Sequence, residues 1–131
     1  MEAMIVQDPP RKPILLVEDN DDVREAMTHI LELNQYRVIP VPGGREALDH
    51  LHEGLEPCLI LLDLRMPGVD GWEFRKQQMR DPDLAGIPVI VYSGDGRVKE
   101  NATSMGAAAY FPKPVNVPLM LDLVANHCLR D

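Results

Sequence analysis

The chain has 131 residues, 45% of them hydrophobic and 26% charged, which is the size and composition of one soluble globular domain. Such a length buries a core without help from a disulfide or a structural metal. The 13 Lys and Arg against 21 Asp and Glu leave a net charge of −8, which disfavours sequence-independent binding to nucleic acid or to an anionic membrane.

Residues 1–12 read as a flexible leader, broken most strongly at Asp8-Pro9-Pro10, and residues 13–131 as one domain. The leader carries Glu2 and Asp8 and lacks the apolar stretch of a secretory signal. From Pro13 the chain alternates. Ile14 to Val17 is a continuous apolar run, as in a strand buried on both faces. Asn20, Asp21 and Asp22 supply a helix start, and Val23, Met27, Ile30 and Leu31 form its stripe. Tyr36 to Val41 is a second strand. After Gly43-Gly44, Ala47, Leu48, Leu51 and Leu55 mark a second helix that Gly54 stops.

Cys58 to Leu62 is a third strand and ends at Asp63. A loop, Leu64 to Gly68, leads to Asp70, the cap of a third helix reaching about Arg80. Gln77 and Gln78 make this the weakest helical pattern, since they fall where apolar residues would help. Trp72 is expected to pack at its start. Pro88 to Tyr92 is a fourth strand, followed by Ser93-Gly94-Asp95-Gly96; Val98, Ala102 and Met105 mark a fourth helix, closed by Gly106. Ala109 to Phe111 is a short fifth strand, and Pro112-Lys113-Pro114 a rigid turn. Val117, Met120, Leu121, Val124 and Cys128 face one side of a last helix.

Strict alternation of five strands and five helices implies an α/β fold with a parallel sheet covered on both faces. Cys58 and Cys128 match no metal-ligand spacing and read as small core residues. Nothing here suggests an oxidising compartment, and the expected location is the cytoplasm. His29, His50, His52 and His127 are scattered and read as surface or cap residues.

In open parallel sheets ligands bind beyond the carboxyl ends of the strands. Those ends carry Glu18 and Asp19, then Asp63, then Ser93, then Lys113. Carboxylates ~4 Å apart repel by roughly 4 kcal/mol at an effective dielectric near 20, so a fold that gathers three of them requires counter-ions. Lys113 supplies one positive charge and a divalent cation would supply two. With only hard oxygen ligands on offer, Mg²⁺ or Mn²⁺ is favoured over zinc or copper. The set reads as a pocket that handles a phosphoryl group on a metal, with Asp63 the nucleophile and Lys113 and Ser93 gripping phosphoryl oxygens.

These residues resemble a known family, the response-regulator receiver domain of two-component signalling. The resemblance rests on Ile14-Leu15-Leu16-Val17-Glu18-Asp19-Asn20, on Leu61 to Gly71 around Asp63, on Pro88 to Gly94, on Gly106-Ala107 and on Tyr110 to Pro114, and spans about residues 13–129. It implies a flavodoxin-like, doubly wound five-stranded parallel sheet of order 2-1-3-4-5 with five helices. It implies that Asp63 accepts phosphate from a histidine kinase or a histidine phosphotransfer protein. Glu18, Asp19 and Asp63 would hold Mg²⁺ together with the main-chain carbonyl of Arg65. Ser93 and Tyr110 would be the switch pair, Lys113 would pair with a phosphoryl oxygen, and the Lys113–Pro114 bond would be cis. The fourth helix, fifth strand and fifth helix would form the output surface. There Leu119 and Leu123 fall outside the stripe facing the sheet, available to a partner or a second copy. Such a module catalyses only its own phosphorylation and dephosphorylation. Arg65 and Asp95 each lie two residues beyond a site residue, Asp63 and Ser93, and their opposite charges are placed to pair across the path of attacking water.

Two alternatives fit less well, and a third is not separated by its motifs. A flavin-binding module needs a phosphate loop where this chain has Glu18 to Asp22. A phosphatase of the haloacid-dehalogenase type needs an acid two residues after its nucleophile, where Arg65 stands. A receiver segment of a hybrid kinase would share every motif.

Overall fold

The computed structural model describes residues 11–65, 68 and 70–129. The predicted leader lies outside these residues except for Arg11 and Lys12, as do Met66, Pro67 and Val69 of the third loop. The elements run β1 (Ile14–Val17), α1 (Asp21–Leu33), β2 (Val38–Val41), α2 (Gly44–His52), β3 (Leu59–Asp63), α3 (Gly71–Arg80), β4 (Val89–Ser93), α4 (Val98–Ser104), β5 (Ala109–Pro112) and α5 (Val117–Ala125). All neighbouring strands pair in parallel, in the order β2-β1-β3-β4-β5.

Alternate residues of each strand go to opposite faces, because the side-chain period of a strand is two. On one face Leu15, Val17, Ile60, Leu62, Val89 and Val91 pack with Leu48 and Leu51 of α2, Phe74 of α3 and Ala102 of α4. On the other, Ile14, Leu16, Leu59, Leu61, Ile90 and Phe111 pack with Met27 and Leu31 of α1 and Met120 and Val124 of α5. Burial on both faces explains why the strands read as unbroken apolar runs. Among the described residues no helix is long and apolar enough to cross a membrane.

The caps follow the side-chain chemistry. Asn20 accepts from the Val23 amide and Asp70 from the Glu73 amide, each satisfying a donor that helix geometry orphans. Gly54, at φ +104, lies just beyond α2 and takes the left-handed conformation that a glycine adopts at little cost.

The weak pattern of α3 has a structural cause. Gln78 is fully buried, and its amide donates to the carbonyls of Leu84 and Ile87 in the loop that follows α3. Arg75, also buried, donates from Nη1 to Gln78 Oε1 and from Nε and Nη2 to the carbonyls of Met105 and Gly106 at the end of α4. Polar groups occupy core positions here because they donate to backbone carbonyls of the adjoining loop and of the end of α4.

Three expectations need correction. Tyr36 is buried but precedes β2, which begins at Val38, so that strand is shorter than its apolar pattern. Trp72 is 42% exposed and does not pack into the core. Cys58 and Cys128 are not free core thiols. They form a disulfide with a Cα–Cα distance of 5.5 Å, tying the segment after α5 to the residue before β3. Their pairing removes the support that free cysteines lent to a reducing compartment.

Candidate functional site

Adjacent strands β1 and β3 end side by side, since Val17 is in register with Leu62. Glu18 and Asp63 are therefore brought together at the carboxyl edge. Asp63 in turn lies opposite Tyr92 of β4, which sets Ser93 next to it, and Ser93 lies opposite Pro112 of β5, which sets Lys113 at the same edge. Backbone register alone thus gathers Glu18, Asp63, Ser93 and Lys113. Close approach of α3 to this edge requires a glycine. A Cβ on Gly71 would lie 2.8 Å from Leu64 Cα and 2.9 Å from the Asp63 carbonyl oxygen.

Asp63 and Glu18 are almost wholly buried, whereas Asp19 is exposed. One carboxylate oxygen from each of the three lies within 4.8 Å of the others. Asp63 Oδ1 accepts from the Arg65 amide at 3.1 Å, and Oδ2 from Lys113 Nζ at 3.1 Å. Glu18 Oε2 accepts from the Asn20 amide at 3.0 Å; Oε1 accepts from the Tyr92 hydroxyl at 3.0 Å and lies 3.2 Å from Lys113 Nζ. The Glu18 carbonyl accepts from Arg24 Nη1.

These partners divide the two buried carboxylates. Burial pushes the Asp63 carboxyl up to about 6, and the nearby Glu18 charge pushes the same way, against the Arg65 amide and Lys113. Burial also acts upward on Glu18, but the Asn20 amide, Lys113 and Tyr92 outweigh it and hold that carboxyl below its ordinary value. Burial opposes the charge on Lys113, yet Asp63 and Glu18 hold its ammonium above the usual lysine value. Tyr92, wholly buried and beside these anions, is pushed well upward and stays a donor at neutral pH.

Ser93 is buried, and its Oγ accepts from the Asp95 amide at 3.1 Å. Arg65 Nη2 and Asp95 Oδ2 meet at 2.6 Å, the pair anticipated from their spacing. Asp95 is held low by that Arg65 hydrogen bond and by the Arg97 amide. The pair lines a cleft shared with Ser93, Trp72 and Asn101. Tyr110 stands apart from the cluster. It is 38% exposed and lines a shallow depression with Leu119, Leu123 and Ala102, between α4, β5 and α5. The Lys113–Pro114 bond is cis. The four histidines are on the surface, and none belongs to the acidic cluster.

Tyr92, Asn20 and Arg24 are the parts of this arrangement that sequence reading missed. A signal was present for the first: a tyrosine in a doubly buried strand needs a partner for its hydroxyl. The donor set is all oxygen, closely spaced and only partly neutralised by Lys113, which suits a hard divalent cation such as Mg²⁺.

The family model for the response regulator receiver domain matches residues 14–125. The polar-differentiation response regulator DivK of Brucella ovis is 33% identical over 121 residues, which cover 88% of this chain and 95% of that protein. A response regulator receiver protein from Pseudomonas putida superposes with a TM-score of 0.82 at 29% identity, covering 91% of this chain and 99% of that one. The signal receiver domain of a histidine kinase from Syntrophus aciditrophicus gives a TM-score of 0.78 at 33% identity, with 88% of each chain covered. Five parallel strands in the order 2-1-3-4-5 with an acidic carboxyl edge, and a family match over most of the length, place this chain among the response-regulator receiver domains of two-component signalling.

Proposed function

We propose that this receiver domain is a phosphoacceptor switch in which Asp63 takes a phosphoryl group from a phosphohistidine on a histidine kinase or histidine phosphotransfer protein. The observation that carries this reading is Asp63 itself, a buried carboxylate at a strand end with Lys113 Nζ at 3.1 Å and Glu18 and Asp19 oxygens close by. A carboxylate oxygen of Asp63 attacks phosphorus, the phosphorus–nitrogen bond breaks, and the imidazole leaves with the bonding pair and takes up a proton. The product is an acyl phosphate. Glu18, Asp19, Asp63 and the Arg65 carbonyl would hold Mg²⁺, or Mn²⁺ in its place. When bound, the ion offsets charge on the transferring phosphoryl oxygens. Lys113 pairs with one of those oxygens, and the Ser93 hydroxyl donates to another. The catalysis is confined to this group's own arrival and loss.

Ser93 and Tyr110 then act as the switch pair, and α4, β5 and α5 form the face that changes for a protein partner or a second copy. The exposed Tyr110 and Leu119 on that face, beside a half-buried Leu123 that also packs against the core, favour this choice. Residues 1–12 are a leader, residues 13–131 the receiver, and the cytoplasm the place of action. A receiver segment of a hybrid kinase is the second reading, favoured by the likeness to the histidine-kinase receiver domain.

Acetyl phosphate with Mg²⁺ is the direct test. Intact mass should show one phosphoryl group on the parent, none with chelator, and none on Asp63→Asn. Equal uptake by Asp63→Asn contradicts the assignment.

A further inference from the structure

Tyr92 lies at the site and has no part in the proposed phosphotransfer. Its ring is wholly buried and stacks on Phe111, with centroids 5.1 Å apart and planes 1° from parallel. At its far end the hydroxyl lies 3.0 Å from Glu18 Oε1 and 3.5 Å from the Val17 carbonyl. Over its face sits Lys113 Nζ, 5.3 Å from the ring centre. One side chain therefore touches both the buried carboxylate and the ammonium of the cluster.

The consequence for Glu18 follows from counting donors. A buried carboxylate is costly unless its oxygens are hydrogen-bonded. Glu18 has one oxygen held by the Asn20 amide and the other shared by the Tyr92 hydroxyl and Lys113. Lys113 is itself divided, 3.2 Å from Glu18 and 3.1 Å from Asp63. The Tyr92 hydroxyl is the donor to Oε1 that does not also serve Asp63. Without it, Glu18 is free to turn.

We propose that Tyr92 is a positioning residue: its hydroxyl fixes the Glu18 carboxylate for a divalent cation, and its ring seats Lys113 beside Asp63. This rests on the reading of the cluster as a Mg²⁺-dependent phosphoacceptor site. Strand geometry makes the arrangement possible, since Tyr92 points to the face opposite its neighbour Ser93 and reaches Glu18 beneath the site while Ser93 lines the cleft above.

The test uses the full chain and Tyr92→Phe, which keeps the stacked ring and removes only the hydroxyl. Mg²⁺ binding is measured by calorimetry, and the rate of acetyl-phosphate uptake is followed against Mg²⁺ concentration. The expected result is a Mg²⁺ Kd and a half-saturating Mg²⁺ concentration about tenfold higher. The rate at saturating Mg²⁺ should stay within twofold. In a Glu18→Gln background, Tyr92→Phe should add nothing to the loss of Mg²⁺ affinity, because the pair acts as a unit. Unchanged Mg²⁺ affinity overturns the proposal. So does a weakening that adds fully to that of Glu18→Gln, or one that comes with equal loss of the saturated rate, since either indicates packing alone. Failure of the parent itself to bind Mg²⁺ or gain a phosphoryl group overturns the functional reading instead, and is told apart by the parent's own titration.

Discussion

Asp63 illustrates how one residue's environment sets its behaviour. Its carboxyl is raised to about 6 from 3.8, chiefly by burial. In the metal-free protein the native state therefore binds more protons than the unfolded chain between these two values, and stability falls as pH rises through that window. Above pH ~6 the cost of the buried anion is complete. Glu18 is held below, and Lys113 above, its ordinary value, so neither shift runs in the same sense as that of Asp63. Asp63→Asn removes this dependence. Metal-free Asp63→Asn should exceed the parent in stability by about 1–3 kcal/mol at pH 7.5, on a scale of 1.36 kcal/mol per pKa unit, and by much less near pH 4. Denaturant titrations at the two pH values check this. A variant less stable at both contradicts it. Arg65 and Asp95 give a second prediction at this scale. Their contact at 2.6 Å spans the cleft beside Ser93. Loss of phosphate should be faster in Arg65→Ala and in Asp95→Ala, with little further change in the double variant. Rates that do not move, or effects that simply add, rule out a paired lid. Both residues were legible from their offsets to Asp63 and Ser93. Tyr92 was only half legible: its place in a doubly buried strand signals that the hydroxyl needs a partner, but not that the partner is Glu18.

At the scale of elements, order and type were legible because buried parallel strands and amphipathic helices have different periods. Strand ends were less so. β2 begins two residues later than its apolar pattern, since Tyr36 is buried by packing outside the ladder. The pattern of α3 failed for a different reason. Arg75 and Gln78 occupy its inward face and bind carbonyls from the end of α4 and from the following loop. Hydrophobic patterning cannot register such a device, since its partners are main-chain groups about 30 residues away in sequence for Arg75. Arg75→Met keeps bulk but strands the carbonyls of Met105 and Gly106 and leaves Gln78 Oε1 without its donor. A loss of about 2–3 kcal/mol is expected from buried acceptors left unpaired, together with faster amide exchange in α4 than in α1. Unchanged stability contradicts a structural role for this latch.

At the scale of the whole molecule, the site is a product of topology. Glu18, Asp63, Ser93 and Lys113 are separated by as many as 95 residues in sequence, from 18 to 113, yet the strand order and register place them at one edge. The family motifs made this legible, but the covalent tie between Cys58 and Cys128 was hidden, since two cysteines far apart in sequence carry no pairing signal. The bond closes a separation of 70 residues and fastens the chain end after α5 to the entry of β3. Constraint of the unfolded chain on this scale contributes about 2–4 kcal/mol. Reduced protein should unfold at correspondingly lower denaturant concentration, and Cys58→Ser/Cys128→Ser should match it. Oxidised and reduced forms that unfold together contradict that contribution. The central claim, that Asp63 carries the phosphoryl group, is tested most directly by chemical trapping. Protein treated with acetyl phosphate and Mg²⁺ is reduced with borohydride, which converts an aspartyl phosphate to homoserine, and its peptides are mapped by mass spectrometry. Homoserine at position 63 and at no other aspartate is the predicted result; conversion at another position, or none with phosphate stably bound, would contradict the account.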